Sequence, residues 1–423
     1  MNKANQSLLR DWPKGEVWFR ERIPEHLAWG DEALLEEIPE SARGTYGLKV
    51  GEYTHLDDQR YEPGNIITVE TADQLLALMQ GVEKVVGVIV PWYDRLIPPA
   101  FLQKHHSPVE LKSYRADLGR RWIKSLIITL ALVGLAFLRP EMLMIAIMGA
   151  TFFGLFPLVE ASMAWLRRVD RFSVDDLNRR LVRNEFFRLW VIQQPTGMLK
   201  VAVGVLVAVF AGQYFFDAQH PTLPGRISAS IQSAALVRTE VLENGEWWRL
   251  VTTGLMHGGV LHILFNGMAL YSLGRVIVAL VSPSLLSIVF LVSVVTGSLA
   301  SIWLGNAPAS VGASGGILGC LGFLLVVTQK FKEELPGHLR SSLVQSSIVI
   351  AIFGFLGSHF IDNAAHLGGF AGGIVLGEIF SPSLKLVSGR TKPLVRGLSV
   401  ISVVILVAGV VKVGWELWQA RGV

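Results

Sequence analysis

Apolar runs of roughly 20 residues recur from Trp122 to the end of the chain. A helix of about that length is needed to cross the ~30 Å hydrocarbon core of a bilayer. Only 17% of the 423 residues are charged and the mean hydropathy is +0.45, whereas charged residues make up about a quarter of a typical soluble domain. The sequence therefore predicts a mainly α fold, a polytopic helix bundle that spans a membrane.

The first 121 residues have a different character, with charges throughout and no long apolar run. Thr71 and Gln74 have the spacing of a capping box at the start of a helix, and Val85–Val90 is a β-branched run typical of a strand. We expect a small soluble α/β or α+β domain over roughly 20–110. No apolar signal core follows Lys3, so this domain is expected to stay on the side of the membrane where it is made.

The apolar segments divide the chain into predicted regions. We expect a soluble domain and linker over 1–121, a transmembrane hairpin over 122–166, a basic linker over 167–197 and a larger helical domain over 198–415. The nine predicted spans lie at about 122–138, 141–164, 198–216, 250–274, 284–304, 314–329, 343–361, 364–381 and 397–415. The first two spans form the hairpin and the other seven form one group.

The distribution of lysine and arginine indicates how the chain crosses the membrane, because cytoplasmic loops carry the excess of positive charge. Segment 167–188 contains seven arginines, and the loops after the second, fourth and sixth spans of the group of seven are also basic. The loop 305–310 has neither lysine nor arginine. This pattern predicts a cytoplasmic N-terminal domain and an outer position for the loop before Ser314. The net charge of +4 gives no support for nucleic-acid binding.

The stretch HGGVLHILFN places polar side chains inside an apolar segment, where each costs free energy unless it has a partner or a function. His262 and Asn266 are four residues apart and share one helical face. The pair either acts at one functional point or forms a polar clamp between helices. His257 and His262 are five residues apart and lack the glutamate of a zinc-protease helix, so no metal is expected. His105 and His106, in a predicted linker, lack a third ligand at metal spacing.

The stretch VGASGGILGC contains one serine, Ser314, among four glycines. Gly315, Gly319 and Gly322 lie on one helical face, which lets another helix approach closely. GASGG also has the G-x-S-x-G form of a hydrolase nucleophile elbow, but the elbow requires a soluble parallel sheet and here a membrane span precedes it. Taken alone, the stretch favours helix packing over catalysis.

The stretch DNAAHLGGFAGGIVLGE carries His366 near the start of a later predicted span. By the charge-derived topology, Ser314 and His366 lie on the same side of the membrane at similar depth. The helix of His366 has two faces of small residues, Gly368/Gly372 and Gly369/Gly373/Gly377. Two glycine-lined helices can bring the serine hydroxyl and the imidazole within hydrogen-bond reach. That pairing is the arrangement of an activated nucleophile.

Together, the motifs WWR…H…HILFN, GASG and DNAAHLGG resemble those of the rhomboid intramembrane serine proteases. The resemblance covers roughly residues 198–415 and implies six core helices plus a C-terminal seventh. It implies that Ser314 is the nucleophile and His366 the general base of a serine–histidine dyad. It further implies an oxyanion hole formed by His262, Asn266 and the backbone N–H of Ser314.

The resemblance also suggests supporting residues and shows two departures. His257 matches a further histidine in the polar cavity, and Gly312 is the first glycine of the G-x-S-G motif. Trp248–Arg249 matches a W-R pair of the long loop after the first core helix, although an interfacial anchor fits the pair equally well. Leu318 stands where many members have an aromatic residue, and Thr253 where some have a histidine. Neither departure changes the dyad.

The sequence thus predicts a serine endopeptidase that hydrolyses peptide bonds in or near transmembrane segments of membrane proteins. Its predicted partners are transmembrane protein substrates and the lipid bilayer, with no nucleic acid, no cofactor and no metal, and its oligomeric state stays open. The predicted location is the bacterial inner (plasma) membrane. The alternative is an inactive rhomboid-like scaffold that binds transmembrane clients. A transporter would need inverted repeats and intramembrane charges, which the sequence lacks.

Overall fold

Strands longer than two residues are described only before residue 90, and long helices follow from residue 108 onward. The computed structural model describes residues 38–56, 59–82, 84–89, 96, 108–139, 146, 149–166, 187, 191, 194–222, 227–332, 335–357, 361–384 and 392–422. The chain divides into two units, residues 1–190 with 332–339 and residues 191–331 with 340–423.

The first unit contains a small antiparallel sheet. Its elements are strands β1 (Tyr46–Val50), β2 (Thr54–Leu56), β3 (Gln59–Tyr61), β4 (Ile66–Val69) and β5 (Val85–Ile89), and helix α1 (Ala72–Gly81) between the last two. The strand order is β4–β1–β5, with β2 and β3 as a separate hairpin. Thr71 Oγ1 accepts from the N–H of Gln74, and Gln74 Oε1 accepts from the N–H of Thr71. The predicted capping box and the order strand, helix, strand are confirmed.

Strand β1, the middle of the sheet, was not predicted because glycine and lysine interrupt its apolar pattern. Leu48 and Val50 are fully buried on it. Gly47 lies so close to the backbone carbonyl of Ile67 that a Cβ atom there would collide with the oxygen. The glycine therefore permits close packing of backbones within the sheet. It also interrupts the alternation of apolar residues by which a strand is predicted.

Two helical segments of the first unit pack against each other. Helix α2 (Pro108–Leu138) contacts a π-helical turn (Ala150–Leu155) and helix α3 (Phe156–Leu166). Trp122 Nε1 donates to Ser162 Oγ at 3.0 Å between α2 and α3. This pair occupies the place of the predicted hairpin, although α2 begins well before the predicted start at residue 122. His105, His106 and most of the basic linker 167–197 lie outside the described residues.

The second unit is a helical bundle. Among its described residues, seven helices have 17 or more residues: α4 (Gly197–Gln219), α8 (Val260–Leu280), α9 (Pro283–Leu304), α10 (Ser314–Lys330), α11 (Gly337–Leu356), α12 (Asn363–Phe380) and α13 (Pro393–Gln419). Short helices α5 (Ala229–Ala234), α6 (Arg238–Leu242) and α7 (Arg249–Thr252) lie in the long loop between α4 and α8. Strands β6 (Leu236–Val237) and β7 (Ala309–Ser310) pair across two loops.

Helix α9 lies at the centre of this bundle, with most of its residues buried. Helices α10 and α12 both pack on it and on each other. Helices α4 and α13 are apolar but largely exposed, with large side chains such as Val201 and Val404 facing outward. Apolar helices with exposed faces are what a lipid environment accommodates.

The predicted span 250–274 is wrong at its start, because α8 begins only at Val260. The short helix α7 ends at Thr252, and the following segment turns through Gly258 and Gly259, where Gly259 has a φ of +155°. The buried side chain of Gln213 hydrogen-bonds both backbone groups of His257. These bonds replace the helical ones that a continuous helix would have made.

Five described helices, α4, α8, α9, α11 and α13, are long and apolar enough to cross a membrane. Helices α10 and α12 have 17 and 18 residues and pack beside α9. Most of α10 is buried, whereas α12 buries a row of glycines and exposes Leu367 and Val375. The chain is thus a multi-pass membrane protein built as a polytopic helix bundle with a small sheet domain before it. The total of nine spans stays a prediction.

Candidate active site

Ser314 and His366 meet where helices α10 and α12 begin. Ser314 is the first residue of α10, and His366 lies in the first turn of α12. His366 Nε2 is 2.9 Å from Ser314 Oγ, which is hydrogen-bond distance. Both side chains are half-buried. The structure thus brings together the two residues that the sequence analysis paired, in a geometry that lets the imidazole accept the hydroxyl proton.

Glycines allow this approach. A Cβ atom on Gly369 would collide with the backbone of Gly315, and one on Gly373 would collide with that of Gly319. The other glycine face of α12 packs on α9, where a Cβ atom on Gly368 would meet Ala300. The predicted small-residue faces therefore point to two different neighbours, and α12 lies in close backbone contact with both α9 and α10.

The segment before Ser314 runs along the side chains of His262 and Asn266. Gly312 has a φ of +126°. A Cβ atom on it would lie 2.7 Å from Cε1 and Nε2 of His262 and 3.3 Å from Asn266 Nδ2. Asn266 Nδ2 is buried and has no hydrogen-bond partner among the described residues. An unpaired buried donor at this place can stabilise a negative charge that develops beside it.

His257 lies behind His262. Its ring centroid is 5.2 Å from that of His262, in an edge-to-face arrangement. The His257 side chain is 2% exposed, and neither ring nitrogen has a hydrogen-bond partner in the described part of the chain. Its backbone N–H donates to Gln213 Oε1 at 2.9 Å, and its carbonyl accepts from Gln213 Nε2 at 3.2 Å. Gln213, absent from the sequence interpretation, therefore fixes the turn before His262.

Thr253 fixes the loop that leads to Ser314. Its hydroxyl donates to the carbonyl of Ser310 at 2.6 Å, and its own carbonyl accepts from the N–H of Gly312 at 3.0 Å. Pairing of β6 with β7 fixes the same loop at Ala309 and Ser310. The threonine that departs from the family pattern is thus part of the support of this loop.

A cavity of about 530 Å³ opens beside this loop. Its wall includes Gln213, Tyr214 and Asp217 from α4, the turn from His257 to Val260, and the segment 308–311 that precedes Gly312. The cavity mixes polar and apolar side chains and is contiguous with the turn that carries His257. It is large enough to admit water or part of an extended peptide.

Arg249 is buried rather than placed at an interface, with 4% of its surface exposed. Its guanidinium donates to the carbonyls of Ala235 at 2.7 Å and Gln232 at 3.0 Å, and to Glu246 Oε2 at 2.5 Å. It also lies over the Trp248 ring, 4.7 Å from the centroid. Because these bonds hold the long loop together, the geometry favours a structural clamp over an interfacial anchor for the arginine.

No group of three or more histidine, cysteine, aspartate or glutamate side chains in the described ranges has the arrangement of a metal site. The cluster around Ser314 contains hydroxyl, imidazole and amide groups. Groups of these kinds can transfer protons and donate hydrogen bonds to an oxyanion.

Comparison with known proteins finds similarity to rhomboid proteins. A protein-family model described as "Rhomboid domain" matches residues 244–383. The chain is 33% identical over 135 residues to the Putative rhomboid protease YdcA of Bacillus subtilis (strain 168), which covers 31% of this chain and 67% of that protein. It is 37% identical over 133 residues to Rhomboid protease GluP of the same organism, covering 31% of this chain and 26% of GluP.

A plant protein, RHOMBOID-like protein 9, chloroplastic, of Arabidopsis thaliana, is 31% identical over 196 residues, which is 45% of each chain. The matched segment spans about a quarter of GluP and less than half of the plant protein. On this chain, the family match at residues 244–383 extends from the long loop before α7 to just past the end of α12.

Proposed function

The chain belongs to the rhomboid family, and on that premise we propose that it is an intramembrane serine protease with Ser314 as its nucleophile. The observation that carries the proposal is the 2.9 Å contact between Ser314 Oγ and His366 Nε2. The neighbouring donor Asn266 Nδ2, which has no partner within the described residues, supports it. The names of the bacterial relatives support a protease as well.

In the first half of the reaction, Ser314 Oγ attacks the carbonyl carbon of the scissile peptide bond while His366 Nε2 takes the hydroxyl proton. The carbonyl π electrons move to the oxygen, and a tetrahedral intermediate forms. When this intermediate collapses, the C–N bond breaks and His366 returns the proton to the leaving amine. The product is an acyl-enzyme ester on Ser314 and one free peptide fragment.

In the second half, His366 takes a proton from a water molecule, and the resulting hydroxide equivalent attacks the ester carbonyl. The second tetrahedral intermediate expels Ser314 Oγ, which regains a proton from His366. The acyl fragment leaves as a carboxylic acid. This step needs water inside the bundle, and the cavity beside His257, which borders the loop before Ser314, is the proposed source of it.

The negative oxygen of both intermediates is bound by the side chains of His262 and Asn266 and by the backbone N–H of Ser314. The closeness of Gly312 to the side chains of His262 and Asn266 supports a role for these donors that needs little rearrangement during the reaction. A single donor of this kind is typically worth about 10²–10³-fold in kcat. His257 and Gly312 have supporting roles in this scheme. The His257 ring packs against the His262 ring, and Gly312 lets the loop before Ser314 approach His262 and Asn266.

The proposed substrates are transmembrane proteins cleaved in or near a membrane-spanning helix, at small or helix-breaking residues near the outer face. Such residues let the backbone leave the helix and expose its carbonyl to the serine. The proposed setting is a bacterial plasma membrane with the N-terminal domain in the cytoplasm, supported by the arginine-rich segment 167–188.

The test is cleavage of a transmembrane helix carrying a glycine-rich outer segment, reconstituted with the full chain in lipid vesicles. We expect a cut within or beside that helix, located by mass spectrometry, for the native chain and none for Ser314→Ala. An inactive scaffold would bind the helix without cutting it, with native chain and variant alike, and that outcome would reject the protease.

A further inference from the structure

The first turn of α12 is held by a side chain that takes no direct part in the proposed chemistry. Asp362 is the N-cap of α12, and its Oδ1 accepts from the N–H of Ala365 at 3.0 Å. Its other oxygen, Oδ2, accepts a short hydrogen bond from Ser301 Oγ in the last turn of α9. One carboxylate therefore both begins the helix of His366 and fastens it to the central helix.

The contact is reinforced one turn away on each helix. Gly297 of α9 lies against Ala365, where a Cβ atom would be 2.7 Å from the carbonyl oxygen. Ser301 is buried, with 5% of its surface exposed. Because the glycine packing fixes the spacing of the helices and the Ser301–Asp362 bond fixes their register, the start of α12 has one position along α9.

His366 lies one turn after Asp362, and its backbone N–H donates to the Asp362 carbonyl at 3.1 Å. Among the described residues, the carboxylate makes no hydrogen bond to the imidazole itself, and the hydrogen bond between the two residues joins their backbones. We propose that Asp362, held by Ser301, is the positioning residue that sets the imidazole at reacting distance from Ser314. The inference rests on the proposed protease function.

The chemistry of aspartate suits this double task. A carboxylate offers two oxygens with about four acceptor sites, so one oxygen caps the helix while the other takes the serine hydroxyl. Asparagine can keep both contacts, because its Oδ1 can cap and its NH₂ can donate to Ser301 Oγ, which then acts as acceptor. Serine keeps only the cap, and alanine keeps neither contact.

The experiment measures the second-order rate constant for inactivation of the full chain by a fluorophosphonate, since this reagent reacts with a serine that a base has activated. Misplacing reacting groups by about 1 Å can cost ~10²-fold, so we expect Asp362→Ala to react at least roughly tenfold more slowly. Asp362→Asn should react near the native rate, and Ser301→Ala and Asp362→Ser should fall between. With a peptide substrate, kcat should fall while KM changes little.

Ser282→Ala is the matched control. Ser282 is the N-cap of α9 at the other end of the bundle and accepts from the N–H of Leu285 at 3.2 Å. Its loss removes a comparable cap at a place far from Ser314 and His366, so the rate of inactivation should stay at the native value. A native rate in Asp362→Ala, or equal slowing in Asp362→Ala and Ser282→Ala, overturns the positioning role while leaving the protease intact. A native chain that does not react rejects the protease itself and, with it, this inference.

Discussion

Gly369 of α12 lies directly against the backbone of Gly315 in α10, so close that a Cβ atom on Gly369 would collide with that backbone. Gly315 follows Ser314 and Gly369 is three residues after His366. The distance between the helix backbones therefore determines whether the hydroxyl and the imidazole meet.

Gly369→Ala is expected to push α12 away from α10. Overpacking of a well-packed site typically costs about 1–3 kcal/mol, so the bundle should stay folded. The displacement should slow the labelling of Ser314 by a fluorophosphonate, because the imidazole lies farther from the hydroxyl. Gly204→Ala on α4 is the control, because nothing lies within 4 Å of a Cβ atom there. Labelling of Gly369→Ala at the native rate would show that backbone contact does not set the dyad distance.

Asn266→Ala is expected to remove a donor to the oxyanion. On the order of 10²–10³ in kcat should be lost with little change in KM, because the bond forms with the transition state and not with the bound substrate. Steady-state kinetics on a cleavable transmembrane peptide measures both constants. Met268→Ala, at an exposed side chain on the same helix, should leave both unchanged. A loss confined to KM would assign Asn266 to substrate binding instead.

Gly312→Ala is expected to abolish most cleavage while the bundle stays folded. The new Cβ atom would collide with the His262 ring. The alanine would also have to adopt the positive φ of Gly312, a conformation that costs about 1–3 kcal/mol for a non-glycine residue. Gly245→Ala separates these effects, because Gly245 has a φ of +72° and open space around it. Equal loss of cleavage in the two variants would mean that backbone strain, and not the contact with His262, is responsible.

Arg249→Ala is expected to destabilise the long loop, because the carbonyls of Ala235 and Gln232 lose their donor. A buried polar group left without a partner costs about 1–3 kcal/mol. Arg249→Lys should rescue little, since an ammonium cannot reproduce the planar fork of the guanidinium. Thermal unfolding measures the loss. Arg238→Ala, which removes an exposed bond to the Gly305 carbonyl, should change the midpoint much less; an equal shift would contradict the clamp.

The bundle and the meeting of Ser314 with His366 could be predicted because both depend on strong, regular signals. Apolar length indicates the spans, the positions of lysine and arginine indicate their direction, and glycine at helical spacing indicates close packing. These signals come from whole segments, so the prediction holds even when the boundary of a predicted span is wrong by several residues.

Other features could not be read from the sequence, because they depend on bonds between distant segments. The late start of α8 follows from Gln213, 44 residues before His257, which takes the backbone groups of that turn. The role of Asp362 needs Ser301, 61 residues earlier. An aspartate before a helix predicts a cap, but nothing local predicts which hydroxyl reaches its second oxygen.

The central claim is that the imidazole of His366 activates Ser314, and fluorophosphonate labelling of the purified full chain tests it most directly. We expect the native chain to be labelled, with the modified peptide containing Ser314. Ser310→Ala, four residues earlier, should be labelled like the native chain, whereas Ser314→Ala and His366→Ala should lose labelling. Equal labelling of the native chain and Ser314→Ala, or an unlabelled native chain, would contradict the account.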